Sequence, residues 1–190
     1  MSSIDWKKYW IKKAPSFKTR KERNIETVKL VGENKKVLDV GCGHGELLEL
    51  LQKNNDVVGI DFNKTMISSC LKKGLKVKFG EAESIPFEDA SFDVVCALGL
   101  IEYLQTDDVF LKEIYRLLKP NGFTIISYRN ELFSQWSKRE FEPERRTHNP
   151  ITLKYKDFSI EEIVFLNEHI PHKFKEKHFY HSAFLVKIKR

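Results

Sequence analysis

The feature that most constrains the fold is a short apolar run that opens directly onto three glycines, Val37-Leu-Asp-Val-Gly-Cys-Gly-His-Gly45. An apolar run of this length, ended by glycine, is typical of a fully buried strand. Glycine permits a positive φ and lets a ligand approach the backbone closely, beside the electropositive start of a following helix. The segment therefore predicts a strand, a ligand-binding turn and a helix, in that order.

The rest of the chain alternates short apolar strands with amphipathic helices, which is typical of a parallel sheet covered on both faces. Strands are predicted at residues 37–40, 56–60, 77–79, 92–97 and 123–128, and helices at 46–53, 64–72 and 107–118. Beyond residue 155 the pattern predicts a helix at 159–169 and two strands, 173–181 and 183–189, that pair as an antiparallel edge hairpin. We expect an α/β fold: a doubly wound, Rossmann-like, mostly parallel sheet in three αβα layers.

The length of 190 residues predicts a single domain. Within it we expect an N-terminal helical cover (1–34), a core (35–128), a polar lid-like insertion (129–156), and a final helix with edge strands (157–190). In the 107–118 helix, Asp107 or Asp108 is expected to cap the N-terminus, and Val109 to face the core with Phe110.

Composition narrows the class of protein. No apolar run approaches the roughly 20 residues of a membrane span, and no signal-peptide core follows the first lysines, so we expect no membrane span and a cytoplasmic location. The three cysteines are widely spaced, which argues against a zinc site or a disulfide framework, and no metal is expected. A net charge of +6 leaves nucleic-acid binding open as an alternative to a merely solvated surface.

The chemistry of the glycine turn follows from its spacing. The order is GxGxG rather than the dinucleotide GxGxxG, and no Gly-Lys-Ser/Thr follows, which excludes a P-loop. Asp39 lies two residues before the first glycine. An acid there would repel a pyrophosphate, but it suits a ligand that bears ammonium and sulfonium charges.

Residues 37–45 resemble the first motif of the class I S-adenosylmethionine-dependent methyltransferases, and the resemblance continues in order across about residues 35–128. Asp61 matches the acid that ends the second strand of that family. The segments at 80–87, 91–98 and 117–122 resemble its later motifs, and Trp6-Lys-Lys-Tyr9-Trp10 resembles the aromatic helix that covers the cofactor in its small-molecule, ubiquinone-biosynthesis-type branch.

The resemblance implies that S-adenosylmethionine binds here and leaves as S-adenosylhomocysteine. It implies that Asp61 takes the ribose hydroxyls, which its distance of about 20 residues from the glycine turn supports, and that Glu81 takes the adenine amino group. The full set of expected cofactor-binding residues is Asp39, Gly41, Cys42, Gly43, Gly45, Asp61, Phe62, Met66, Glu81, Ala82, Glu83, Leu98 and Tyr9.

The segment expected near the reacting centre differs from the family motif. Where many relatives have Glu-His, this chain has Glu102-Tyr103, and a phenol of ordinary pKa, about 10, is a poor base at neutral pH. The candidates for a catalytic base are His148, Tyr103 and Glu102, in that order, because His148 lies in the expected lid and histidine titrates near neutrality.

We expect O- or N-methylation of a small-molecule acceptor, with a sugar-linked acceptor as one candidate. An RNA methyltransferase is the alternative hypothesis, and a non-catalytic cofactor-binding or activating subunit is the third. The acceptor and the oligomeric state stay open.

Overall fold

The computed structural model describes residues 5–13, 21–131, 146–149, 152–155, 158–166 and 183–190. Its helices are α1 (Trp6–Lys13), α2 (Lys21–Val31), α3 (Glu46–Leu51), α4 (Lys64–Lys72) and α5 (Asp108–Leu117), with a 3-10 turn at Ile101–Tyr103. Its strands are β1 (Lys36–Val40), β2 (Asp56–Asp61), β3 (Val77–Phe79), β4 (Phe92–Ala97), β5 (Leu118–Arg129), β6 (Ser159–Leu166) and β7 (Ala183–Lys189).

The seven strands form one sheet in the order β3-β2-β1-β4-β5-β7-β6. β1 pairs in parallel with β2 and β4, and the parallel pairing extends outwards to β3 and β5. β7 is antiparallel to both of its neighbours, β5 and β6. The predicted mostly parallel sheet with an antiparallel strand near one edge is confirmed.

Successive residues of the central strands belong to two separate hydrophobic clusters, one on each face of the sheet, because side chains alternate across a sheet. Val37, Val94 and Ile125 join the cluster under α2, α3 and α4. Leu38, Val95 and Ile126 join the opposite cluster, where α5 contributes three fully buried side chains: Phe110, Ile114 and Leu117. The sheet is therefore covered on both faces, as the apolar runs predicted.

One predicted element is wrong. Residues 159–169 were expected to form a helix, but Ser159–Leu166 is strand β6, the outer partner of β7. The pairing register shifts between Ile160 and Glu162, and such a bulge removes the strict alternation by which a strand is recognised. The predicted strand at 173–181 lies outside the described residues. Among the described strands, β7 pairs with β5 on one side and with β6 on the other.

Three smaller differences concern α5 and β5. Val109 is 47% exposed and does not face the core, because the buried residues of α5 follow the spacing of Phe110, Ile114 and Leu117. Asp107 precedes the helix without a side-chain capping hydrogen bond, since its carboxylate is engaged elsewhere. β5 begins at Leu118, five residues before the predicted start.

The described parts of the expected lid are fastened to the core. The backbone N–H of Arg146 donates to the Glu102 carbonyl at 3.1 Å, and that of His148 donates to the Arg129 carbonyl at 2.9 Å. Tyr155 hydrogen-bonds the hydroxyl of buried Tyr128. Across the ranges given above, the helices are too short or too polar for any to cross a membrane.

Candidate functional site

The glycine turn after β1 has the backbone geometry that its sequence predicted. Gly41, Gly43 and Gly45 have φ angles of 74°, 56° and 82°, and the N–H groups of Gly41 and Cys42 donate to the Ile60 carbonyl at 2.9 and 3.0 Å. A Cβ at Gly45 would lie 2.4 Å from Leu75 Cδ1, so that position excludes a side chain. The turn is therefore packed against β2 and leaves its opposite side open.

Asp61 ties the end of β2 to this turn. Its Oδ2 accepts the Gly43 N–H at 3.0 Å, and its Oδ1 accepts the Asn63 N–H at 2.8 Å. Burial raises the pKa of Asp61, and these backbone donors oppose that rise. Asn63 in turn caps α4, because its side-chain oxygen accepts from Thr65 and Met66.

Asp39 is the second buried acid, and it is 3% exposed. Burial raises the pKa of Asp39 to about 7, an effect that Arg23 opposes and Asp61 reinforces. A carboxyl group with a pKa near neutrality is costly to ionise in such a buried position.

These acids open onto a cavity of about 750 Å³ at the carboxyl ends of β1, β2 and β4, where open α/β sheets bind ligands. Of the expected cofactor residues, eleven line it: Asp39, Gly41, Cys42, Gly43, Asp61, Phe62, Met66, Glu81, Ala82, Glu83 and Leu98. Gly45 and Tyr9 are absent from the described lining. Seven acidic side chains line the cavity against three basic ones, Lys7, Arg23 and Arg146.

The N-terminal helices supply one wall. Trp10, rather than Tyr9, lines the cavity, with its ring edge-on to Tyr103 at 5.2 Å between centroids. Tyr9 makes an edge-on contact with Trp10. Asn63 Nδ2 donates to the Trp10 carbonyl at 3.1 Å, and Lys7 pairs with Glu81 at 2.9 Å. These contacts hold α1 over the cavity.

Helix α2 contributes Arg23 and Asn24, both buried and both lining the cavity. The guanidinium of Arg23 lies against Gly99, just beyond β4. A Cβ at Gly99 would be only 2.7 Å from Arg23 Nη1, and Gly99 has a φ of 66°. The absence of a side chain at Gly99 therefore leaves room for the Arg23 guanidinium.

The three candidate bases are placed differently. Glu102 and Tyr103 line the cavity, but His148 is absent from the described lining. The His148 ring packs on Tyr128, and its Nε2 lies 3.0 Å from Asp107 Oδ2. Burial raises the pKa of Asp107, but the hydrogen bonds from His148 and Arg146 outweigh it, and the net pKa is lowered. The geometry thus favours Glu102 and Tyr103 over His148.

Several lining residues were not among the expected site residues, and three of them bear on the chemistry of the cavity: Trp10, Asn24 and Arg146. Trp10 was visible as one of three aromatic residues on one helical face, and only packing decides which of them points inwards. Arg146 carries no local signal, because it reaches the cavity through contacts with residues about 40 positions away. Among the described residues, no cluster of His, Cys, Asp or Glu could hold a metal ion.

Comparison with known proteins agrees with this geometry. Residues 38–126 match a family described as "Methyltransferase domain". A demethylmenaquinone methyltransferase of Lactobacillus johnsonii is 40% identical over 98 residues, which is 45% of this chain and 40% of that protein. A fatty-acid O-methyltransferase of Mycolicibacterium smegmatis is 36% identical over 98 residues, 48% of this chain and 36% of that protein. The matched segment thus spans about two fifths of these relatives.

The fold has close counterparts among solved structures. A Thermotoga maritima protein titled an S-adenosylmethionine-dependent methyltransferase, "possible histamine N-methyltransferase", superposes with a TM-score of 0.69 and 20% identity. The superposition covers 97% of this chain and 95% of that one. Residues 38–126 are therefore similar to the methyltransferase-domain family, and the described fold is the one that this solved structure shares.

Proposed function

We propose that the protein transfers a methyl group from S-adenosylmethionine to a small-molecule acceptor. The observation that carries the proposal is the convergence of Asp39 and Asp61 on the open side of the glycine turn. Both are buried acids with raised pKa values, and they face a cavity rich in acidic side chains. Such a site is incomplete without a ligand that brings positive charge and hydroxyl donors.

The cavity fits this donor in size and in its polar groups. Its volume lies in the range of roughly 300–1,000 Å³ that small-molecule sites occupy. Each oxygen of Asp61 accepts one backbone N–H and keeps a lone pair for a ribose hydroxyl. Phe62 and Met66 offer apolar surface to adenine, and Glu81 with Ala82 offers polar groups to its edge.

The amino-acid end of the donor is assigned to the opposite side of the turn. Asp39 would hold the ammonium group, and the guanidinium of Arg23 would hold the carboxylate. Arg23 already lowers the pKa of Asp39, so the two side chains form a complementary pair for a zwitterion.

The donor, when bound, supplies an already activated methyl group. The protein's own residues therefore align the acceptor and exclude water. α1 closes one wall through the edge-on contact of Trp10 with Tyr103. Glu102 and Tyr103 line the cavity after β4. Glu102 is the proposed base for an oxygen or nitrogen acceptor, and Tyr103 would hydrogen-bond that acceptor.

The curated relatives support a small-molecule acceptor, because their names specify demethylmenaquinone and a fatty acid. A sugar-linked acceptor, the candidate named from the sequence, belongs to the same small-molecule class. Whether the methyl group goes to oxygen or to nitrogen depends on the acceptor, and the labelled product shows which atom carries it.

The test is transfer of label from S-adenosylmethionine with a labelled methyl group. The protein is incubated with a metabolite and lipid extract, with total RNA, or with no acceptor. We expect label to enter the extract only. Incorporation into RNA alone would replace the small-molecule proposal by the RNA alternative. Donor binding without transfer to either pool would favour a non-catalytic subunit, and absence of donor binding by calorimetry would overturn the proposal as a whole.

A further inference from the structure

The strand order divides the cavity into two halves. β2 and β3 lie on one side of β1, so the residues that follow them, including Asp61 and Glu81, line one half. β4 and β5 lie on the other side. We call the part lined by Glu102–Gln105 and Arg146 the acceptor half, because it lies beyond the groups assigned to the donor. Arg146 is the only basic side chain described in that half.

Arg146 is held in place by several contacts. Its backbone N–H donates to the Glu102 carbonyl at 3.1 Å, and its Nη1 donates to the Leu104 carbonyl at 3.3 Å. Nη1 also lies 2.5 Å from Asp107 Oδ1. The other oxygen of Asp107 holds His148. Asp107 and His148 thus act as positioning residues for the guanidinium, which explains why Asp107 does not cap α5.

These contacts leave part of the guanidinium for a ligand. They engage Nη1, whereas Nη2 lies 3.5 Å from His148 Nε2. His148 Nδ1 is buried and has no partner among the described residues, which fits a proton on Nε2 that points at Asp107. Nε2 then cannot also accept from Nη2. The Arg146 side chain keeps 32% of its surface exposed.

A guanidinium that offers Nε and Nη2 side by side matches two oxygens of a carboxylate or a phosphate. Asp107 offsets its charge, so selection here depends on bidentate geometry more than on long-range attraction. Glu102, 8% exposed, lines the same half.

We propose that the methyl acceptor carries an anionic oxygen group, a carboxylate or a phosphate monoester, that pairs with Arg146. This inference rests on the proposed function, since it names the class of acceptor for the same cavity. The competing role for Arg146 is purely structural: it would only fasten residues 146–149 to the turn at 102–107.

The test measures binding of three probes to the protein saturated with S-adenosylhomocysteine: benzoate, phenyl phosphate and the uncharged benzamide. We expect at least one anion to bind about tenfold more tightly than benzamide, and the tighter of the two identifies carboxylate or phosphate. Arg146→Gln should lower that affinity about tenfold or more, since a charge-assisted hydrogen bond is lost. Lys112→Gln, which removes an exposed cation on α5, is the matched control and should change nothing.

A further variant separates bidentate pairing from charge alone. Arg146→Lys keeps the charge without the paired donors and should recover only part of the affinity, and thermal melting checks that both Arg146 variants are folded. Equal binding of benzamide, retained affinity in Arg146→Gln, or no measurable anion binding to the wild type would each overturn the inference. The affinity of each variant for S-adenosylmethionine is measured in a separate titration. Normal donor binding in every variant leaves the proposed function standing even where the inference fails.

Discussion

The carboxylate of Asp61 and the backbone N–H of Gly43 are joined by a hydrogen bond of 3.0 Å, which locks the end of β2 to the middle of the glycine turn. The Asp61 side chain therefore has two roles: it fixes the glycine turn, and it presents its remaining lone pairs to the cavity. Loss of this carboxylate affects the shape of the site as well as its contacts with a ligand.

We predict that Asp61→Asn weakens S-adenosylmethionine binding about 10- to 100-fold, because the amide nitrogen cannot accept hydrogen bonds and a charged acceptor is lost. Calorimetric titration measures the change. Asp56→Asn, at the exposed start of the same strand, is the control. Equal affinities in the two variants would refute the assignment of Asp61.

The raised pKa of Asp39 predicts a pH-dependent donor affinity. In the ligand-free protein this carboxyl is largely protonated below its pKa of about 7, and it must release a proton to pair with an ammonium group. The ionised fraction, and with it the affinity, should therefore rise about 25-fold between pH 5.5 and 7.5. Asp39→Asn should bind more weakly and show a much flatter profile. A wild-type profile as flat as that of Asp39→Asn would count against Asp39.

The same pKa predicts a cost in stability. An acid whose pKa is higher in the folded state, about 7 against an ordinary 3.8, contributes stability below pH 4 that is lost as pH rises through 7. The ligand-free wild type should therefore lose free energy of unfolding between pH 5 and 8, and Asp39→Asn should lose less. Denaturant melts at the two pH values measure this difference. A variant that loses stability as steeply as the wild type would contradict the prediction.

Gly99 and Gly74 form a matched pair for testing the placement of Arg23. Both have a positive φ, 66° and 73°, but a Cβ at Gly74 meets nothing within 4 Å, whereas one at Gly99 meets Arg23 Nη1 at 2.7 Å. Gly74→Ala should cost only backbone strain, about 1 kcal/mol. Gly99→Ala should in addition displace Arg23 and weaken donor binding several-fold. Identical donor affinities would show that Arg23 is not needed there.

The core of the fold could be predicted from the sequence because its signals are local. β3, β4 and α4 have the predicted bounds, since short segments rich in apolar residues mark the strands and a glycine follows α4. β6 could not be recognised: Ile160, Ile163 and Val164 have the spacing of a helical face, and the bulge before Glu162 hides the alternation. Pairing with β7 decides the outcome, and that contact is long-range.

The candidate site divides in the same way. The residues from motifs at strand ends, such as Asp39 and Asp61, line the cavity as their positions predicted. Arg146 and Asp107 are about 40 positions apart in the sequence and meet through a tertiary contact. No periodicity encodes such a contact. His148 was expected near the reacting centre, but its nearest charged partner is Asp107.

The position of β7 between β5 and β6 has a consequence for how the sheet opens. Within the described part of the chain, β6 is joined to the sheet through β7 alone. Any fluctuation that releases β7 from β5 therefore detaches β6 as well, while β6 can fray by itself. In native-state hydrogen exchange, the amides that β6 pairs with β7 should never be better protected than those between β7 and β5. The two strands form a hierarchy of opening, with β6 first and β7 second.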